Sequence, residues 1–172
     1  MAPDFKPDRI MQTLAKHGVN CIFIGGMAAF LQGSPIPTED VDIVPEVNRD
    51  NLTRLSRALK ALDAKVRADG TEPLPFGHDA DSLAAGNIWN LTTRYGDLDI
   101  TFTPSGTRGY ADLKRDAIEV SIHGTTVKLA ALVDIVRSKE AAGRDKDRRA
   151  LPILRELVDR QLRERAGRPR RG

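Results

Sequence analysis

Apolar and polar positions alternate along this chain at two periods, and the switches between them mark its elements. Ile10, Met11 and Leu14 share one face of a 3.6-residue period and predict an opening helix over PDRIMQTLAKHG, with Gly18 as its stop. The run VNCIFIG is short and continuously apolar, the pattern of a buried strand. GMAAFLQG predicts a short helix between glycines. In EDVDIVPEV the period becomes two, so Val41 and Ile43 point one way and Asp40 and Asp42 the other. Asn48 then caps a helix over RDNLTRLSRALKAL, where Leu52, Leu55, Leu59 and Leu62 recur at helical spacing.

DAKVRA predicts a further strand, and the Gly-, Pro- and Asp-rich DGTEPLPFGHDADSLAAG a loop with one helical turn. NIWNLTTRYGDLDITFTP predicts two strands joined at Tyr95-Gly96, and GYADLKRDA a short helix. AIEVSIHGTTVKLA predicts a hairpin turning at His123-Gly124. ALVDIVRSKEAAG predicts a helix stopped by Gly143. RDKDRRA predicts one or two helical turns, after which Pro152 opens a separate final helix reaching about Glu164. This order predicts an α+β (α/β) fold, a small mixed β-sheet flanked by helices with further helices at the C-terminus. No repeat divides the chain. Residues 1–164 read as one domain and 165–172, RAGRPRRG, as a basic, disordered tail.

The 172 residues suffice for one domain with a real core, and 40% hydrophobic with 30% charged residues is a soluble composition. No apolar run approaches the roughly 18 residues of a membrane span, and MAPDFKPDRIM lacks the apolar stretch of a signal peptide. A cytoplasmic location is expected. Cys21, the sole cysteine, lies in an apolar run and reads as a small buried side chain. The net charge of +3 is unevenly spread. From Arg137 onward there are 13 Lys+Arg and 6 Asp+Glu, which leaves the preceding chain at −4. A basic end beside an acidic body is compatible with a polyphosphate or nucleic-acid partner.

The candidate chemistry lies in the carboxylates. On a strand Asp40 and Asp42 project together, and such close like charges repel unless a cation lies between them. Hard oxygen ligands suit Mg²⁺ or Mn²⁺. GDLDITF repeats the pattern, with Asp97 and Asp99 set against Leu98 and Ile100. If the two strands are neighbours, Asp99 joins Asp40 and Asp42 in a cluster able to hold one or two divalent ions about 3.5 to 4 Å apart, the arrangement that clamps an in-line phosphoryl displacement. Gly25 and Gly26 fit that chemistry, because glycine lets a phosphate approach the backbone and the helix start after them favours anions.

With an aliphatic residue, two glycines, a 13-residue spacer (27–39) and Asp-x-Asp, followed by a separate third aspartate, the chain resembles the nucleotidyltransferase superfamily related to DNA polymerase β. LAKHGVNCIFIGGMAAFLQG and LAALVDIVRSKEAAGRDKDRRALPIL are most similar to the AbiEii/MenT type of nucleotidyltransferase toxin, so the resemblance covers most of residues 8–160. It implies that Asp40 and Asp42 bind the metals, that Asp99 is the third ligand and the base for an acceptor hydroxyl, and that Gly25 and Gly26 hold an NTP. It places Lys139 and Asp147 at the nucleotide pocket. It further implies an RNA acceptor such as a tRNA 3′ end, and a cognate antitoxin protein as partner. The chain departs from the toxins in the loop Gln32 to Pro37, which lacks their arginine, while Thr38 is kept.

Two rival readings stand beside this one. An aminoglycoside-type nucleotidyltransferase would modify a small molecule, with Asp79 and Asp81 attracting a cationic drug. A decayed enzyme would only bind nucleotide or nucleic acid. His17, His78 and His123 lack metal spacing, and Trp89 sits in an alternating strand as a core residue. Arg108, in the polar loop after the Asp99 strand, is placed to meet phosphate.

Overall fold

The computed structural model describes residues 3–169. Seven helices and seven strands alternate as α1 (Pro7–Lys16), β1 (Cys21–Ile24), α2 (Gly25–Phe30), β2 (Asp40–Pro45), α3 (Arg49–Ala61), β3 (Lys65–Val66), α4 (Ala80–Ala85), β4 (Ile88–Thr93), β5 (Gly96–Thr101), α5 (Tyr110–Lys114), β6 (Ile118–Ile122), β7 (Thr125–Leu129), α6 (Leu132–Ala142) and α7 (Asp145–Ala166). The strands form one mixed sheet in the order β3-β4-β5-β2-β1-β7-β6, the mixed α/β architecture that the alternation predicts.

Local chemistry explains most boundaries. Pro7 opens α1, where its missing N–H costs nothing. The Asn48 side chain accepts from the Asn51 N–H at 2.8 Å and caps α3. Asn51 itself is fully buried and satisfied, donating to the carbonyls of Asn20 and Glu46 and accepting from Asn20 N–H. That one amide ties the entries of β1 and α3 to the exit of β2. α6 ends on Gly143 in the left-handed conformation, as predicted.

The C-terminus differs from expectation. RDKDRRA and the following segment form one 22-residue helix, α7, with Pro152 inside it and not at its start. Pro152 lies on the exposed side, between exposed Arg149 and Ile153, so the carbonyl that loses its helical donor faces solvent. Leu151, Leu154 and Leu157 keep the opposite side buried and hold the helix together across the proline. α7 also passes the expected end at Glu164 to reach Ala166, and residues 170–172 of the expected tail lie outside the described part.

Two pairings set up the site. β1 runs antiparallel to β2, and β2 runs parallel to β5 with Val41 opposite Leu98 and Ile43 opposite Ile100. Those four side chains are fully buried on one face. α1 packs on β2, β7 and α3, while α2 packs on β1 and β2. Among the described residues no helix is long and apolar enough to cross a membrane.

Candidate active site

Strand alternation turns the acids of β2 and β5 to the face opposite that core. The register is direct, with Asp40 opposite Asp97 and Asp42 opposite Asp99. One carboxylate oxygen from each of Asp40, Asp42 and Asp99 lies within 4.8 Å of the other two, and all three residues are half-buried. The two acidic strands are therefore neighbours, the condition on which a three-carboxylate cluster depends.

Burial, then the charges of Asp40 and Asp99, push the Asp42 carboxyl up to about 7 from 3.8. Asp99 is also raised, first by burial, against the pull of Arg67. Three carboxylates held this close, one of them poised near neutrality, form an oxygen donor set that fits a divalent cation such as Mg²⁺ or Mn²⁺. The adjacent backbone lies close against these acids and depends on glycine. Gly25 has φ +72° at the junction of β1 and α2, and a β-carbon there would overlap Asp42 Oδ2. A β-carbon on Gly26 would lie 3.1 Å from Thr38 Oγ1. α2 begins at Gly25 itself, one residue before the expected start of the two-glycine step into the helix, so both glycines belong to its first turn. Thr38 Oγ1 donates to the Asp40 carbonyl at 3.2 Å and so steadies the approach to β2. Gly25, Gly26, Thr38, Asp40, Asp42 and Asp99 thus converge as one site.

Lys139 and Asp147 meet each other first. Asp147 is fully buried at the start of α7, with Lys139 Nζ at 3.3 Å and Arg144 Nε at 2.8 Å. Burial raises its pKa, but the hydrogen bond from Arg144 and the charge of Lys139 prevail and hold the carboxyl below its usual range. The charges of Lys139 and Lys146 both lower the proton affinity of Asp42. Among the described residues no hydrogen bond or ion pair links Lys139 or Asp147 to the triad.

The other residues singled out in the sequence have these neighbours. Asp79 caps α4 through the Ser82 N–H at 2.8 Å, and exposed Asp81 pairs with exposed Arg49 at 3.3 Å. Arg108 gives its backbone N–H to Asp112 at the start of α5. Trp89, expected as a core residue, is half-buried against the core, donating to the Leu83 carbonyl and stacked on Phe76. His78 is bonded to Ser56. Cys21 is buried, and burial pushes its thiol up to about 12, which leaves it unreactive.

One residue of the site carries no motif. Arg67, just past β3, pairs with Asp97 at 3.1 Å and Asp99 at 2.8 Å. In the sequence it is one basic residue in a short polar strand, and only the β3–β4–β5 pairing brings it to the carboxylates. Asn90, exposed and directly opposite Asp99 on β4, is a second such neighbour.

No family model matches the sequence, and no curated protein is similar to it. Solved structures share its fold. The lincosamide antibiotic adenylyltransferase LnuA, solved with lincomycin bound, aligns at TM-score 0.61 and 12% identity over 90% of this chain and 99% of that one. The antibiotic-resistance factor ANT(2'')-Ia aligns at 0.54 and 15% identity over 93% and 90%, and has also been solved with adenylyl-2''-tobramycin. An antigenic nucleotidyltransferase-like protein from Paracoccidioides brasiliensis aligns at 0.52 and 19% identity over 92% and 78%. The chain has the fold of nucleotidyltransferases along nearly its whole length.

Proposed function

We propose that this chain transfers a nucleoside monophosphate from an NTP to an acceptor hydroxyl. The observation that carries the reading is the convergence of Asp40, Asp42 and Asp99 within 4.8 Å beside Gly25 and Gly26, whose backbone packs directly against Asp42 and Thr38. Asp40, Asp42 and Asp99 would hold Mg²⁺ or Mn²⁺, which supplies charge neutralisation at the reacting phosphate. Gly25 and Gly26 would meet the triphosphate, and Lys139 and Lys146, whose charges are felt at Asp42, would offset its charge. Asp99 accepts the proton of the acceptor hydroxyl, a role suited to a carboxylate whose burial raises its proton affinity. The hydroxyl oxygen bonds to the α-phosphorus, the bond to the β-phosphate oxygen breaks, and pyrophosphate leaves.

For the acceptor, a small hydroxylated molecule is the reading the fold supports first. Lincosamide and aminoglycoside adenylyltransferases are among its structural neighbours, and this chain spans nearly their full length. An RNA acceptor, with the chain acting as the toxin of a toxin–antitoxin pair, rests on the resemblance to the AbiEii/MenT type, with which the basic C-terminal segment is compatible. Part of that segment's charge is matched by exposed pairs, Arg148–Asp145, Arg155–Glu140 and Arg160–Glu156. The test is incubation with each labelled NTP and Mg²⁺, with total tRNA in one arm and an aminoglycoside and lincosamide panel in the other. Label transfer that Asp42→Asn abolishes is expected. Transfer to the antibiotics supports the small-molecule reading, transfer to tRNA the toxin reading, and no transfer with any NTP to either refutes the proposal.

A further inference from the structure

We propose that Arg67 is the positioning residue that presents Asp99 to the metal. This rests on the reading of Asp40, Asp42 and Asp99 as a divalent-cation site.

The three carboxylates are held by different means. The Asp40 carboxylate accepts from Thr38 Oγ1 at 3.5 Å, and Asp42 packs against the backbone of Gly25. Asp99 has one hydrogen-bond partner among the described residues, Arg67 Nη2 on Oδ1 at 2.8 Å. Its orientation is therefore set from outside the triad.

Arg67 is fixed at several points. Its backbone N–H donates to the Asn90 carbonyl at 2.9 Å, extending the β3–β4 ladder by one bond. Nη1 donates to the Leu91 carbonyl at 3.1 Å and meets Asp97 Oδ2 at 3.1 Å. Asp97 and Asp99 are two apart on one strand and face the same way, so a single planar guanidinium spans both. A lysine has three N–H donors, but all on one nitrogen, and cannot spread them along the strand as the planar fork does. The clamp leaves the second oxygen of Asp99 for the cluster.

A rival account makes Arg67 a stand-in cation that a metal must displace. The contacts argue otherwise. Arg67 bonds neither Asp40 nor Asp42, and its second Nη is engaged by Asp97, outside the cluster. The guanidinium therefore touches the triad through Asp99 alone. A partner of this kind, one step removed from a metal, typically governs about 10–100-fold of metal affinity.

The test is Mn²⁺ titration of the full chain, with free Mn²⁺ followed by electron paramagnetic resonance. Wild type is expected to bind and Asp42→Asn to abolish binding. Arg67→Ala is expected to weaken binding about 10–100-fold with an unchanged circular dichroism spectrum, and Arg67→Lys to recover part of the loss. Asp97→Asn, which frees one anchor of the arginine, is expected to weaken binding by less. Arg67→Ala and Arg67→Lys binding as tightly as wild type would overturn the proposal, and tighter binding would establish the stand-in account. Should Arg67→Ala fail to fold, Arg67→Lys and Asp97→Asn decide alone, both matching wild type being the overturning result. Binding lost in Asp42→Asn but untouched in the Arg67 variants refutes the arginine's role only. A wild-type chain that binds no Mn²⁺ refutes the metal site and this role together.

Discussion

Asp42→Asn separates what the carboxylate cluster costs the fold from what it does for chemistry. In the metal-free fold Asp42 titrates near 7, raised by burial and by Asp40 and Asp99, against 3.8 when unfolded. Between those values the folded chain binds a proton that the unfolded chain has released. The associated stability is fully present below pH 3.8 and is lost as pH rises through about 7. The window spans roughly 3 pH units at about 1.36 kcal/mol each, so ionised Asp42 opposes folding by on the order of 4 kcal/mol at pH 8. Asparagine keeps the shape and removes the charge. In EDTA at pH 8, Asp42→Asn is expected to be a few kcal/mol more stable than wild type, a gain of on the order of 10 °C in melting temperature for a chain of this size. Near pH 4 the two should nearly coincide. Urea unfolding followed by far-UV circular dichroism at both pH values measures this. Saturating Mn²⁺ then stabilises wild type, by about 2.7 kcal/mol at 100 times Kd, and leaves the variant unmoved. A variant no more stable than wild type at pH 8 in EDTA would show that burial and the neighbouring carboxylates place no such strain on Asp42.

Gly25→Ala places a β-carbon against Asp42 at φ +72°, so a loss of at least about 1–2 kcal/mol and of the Mn²⁺-induced thermal shift is expected; a full Mn²⁺ response in the variant counts against the tight approach. Asp147→Ala strips Lys139 of its buried partner and should cost about 3–5 kcal/mol in urea unfolding, with a cost under about 1 kcal/mol contradicting the role of this pair. Asn48→Ala removes the α3 cap and should cost about 1 kcal/mol in the same assay, leaving Mn²⁺ affinity unchanged because the cap is remote from the triad.

The site is legible in the sequence where a single segment carries it. Alternation in DVDIVP and GDLDIT places each acid on the correct face, because a strand's period needs no tertiary information. The meeting of Asp42 with Asp99 is legible only as a condition, since strand order is decided by packing. Arg67 is not legible. Its role arises from β3 pairing with β4 and β4 with β5, and nothing local marks that reach. Pro152 misplaces a helix boundary because the local cost of proline says nothing of the three leucines that bury the opposite side of α7. The partners of the loop acids Asp79 and Asp81 are illegible for a related reason. Charge can be counted along a chain, but its partners, a helix N-terminus and Arg49, are set by the fold.

The parallel pairing of β2 with β5 has a consequence for when the protein becomes competent. α3, β3, α4 and β4 all intervene between these strands, and parallel neighbours so distant in the chain pair late because loop closure must precede the reward. A slip of one residue would put Leu98 where Asp99 belongs and expose the core face. A growing or partly folded chain therefore carries Asp40 and Asp42 without their third partner. If the three acids hold a metal, the appearance of Mn²⁺ binding during refolding would time the docking of β5.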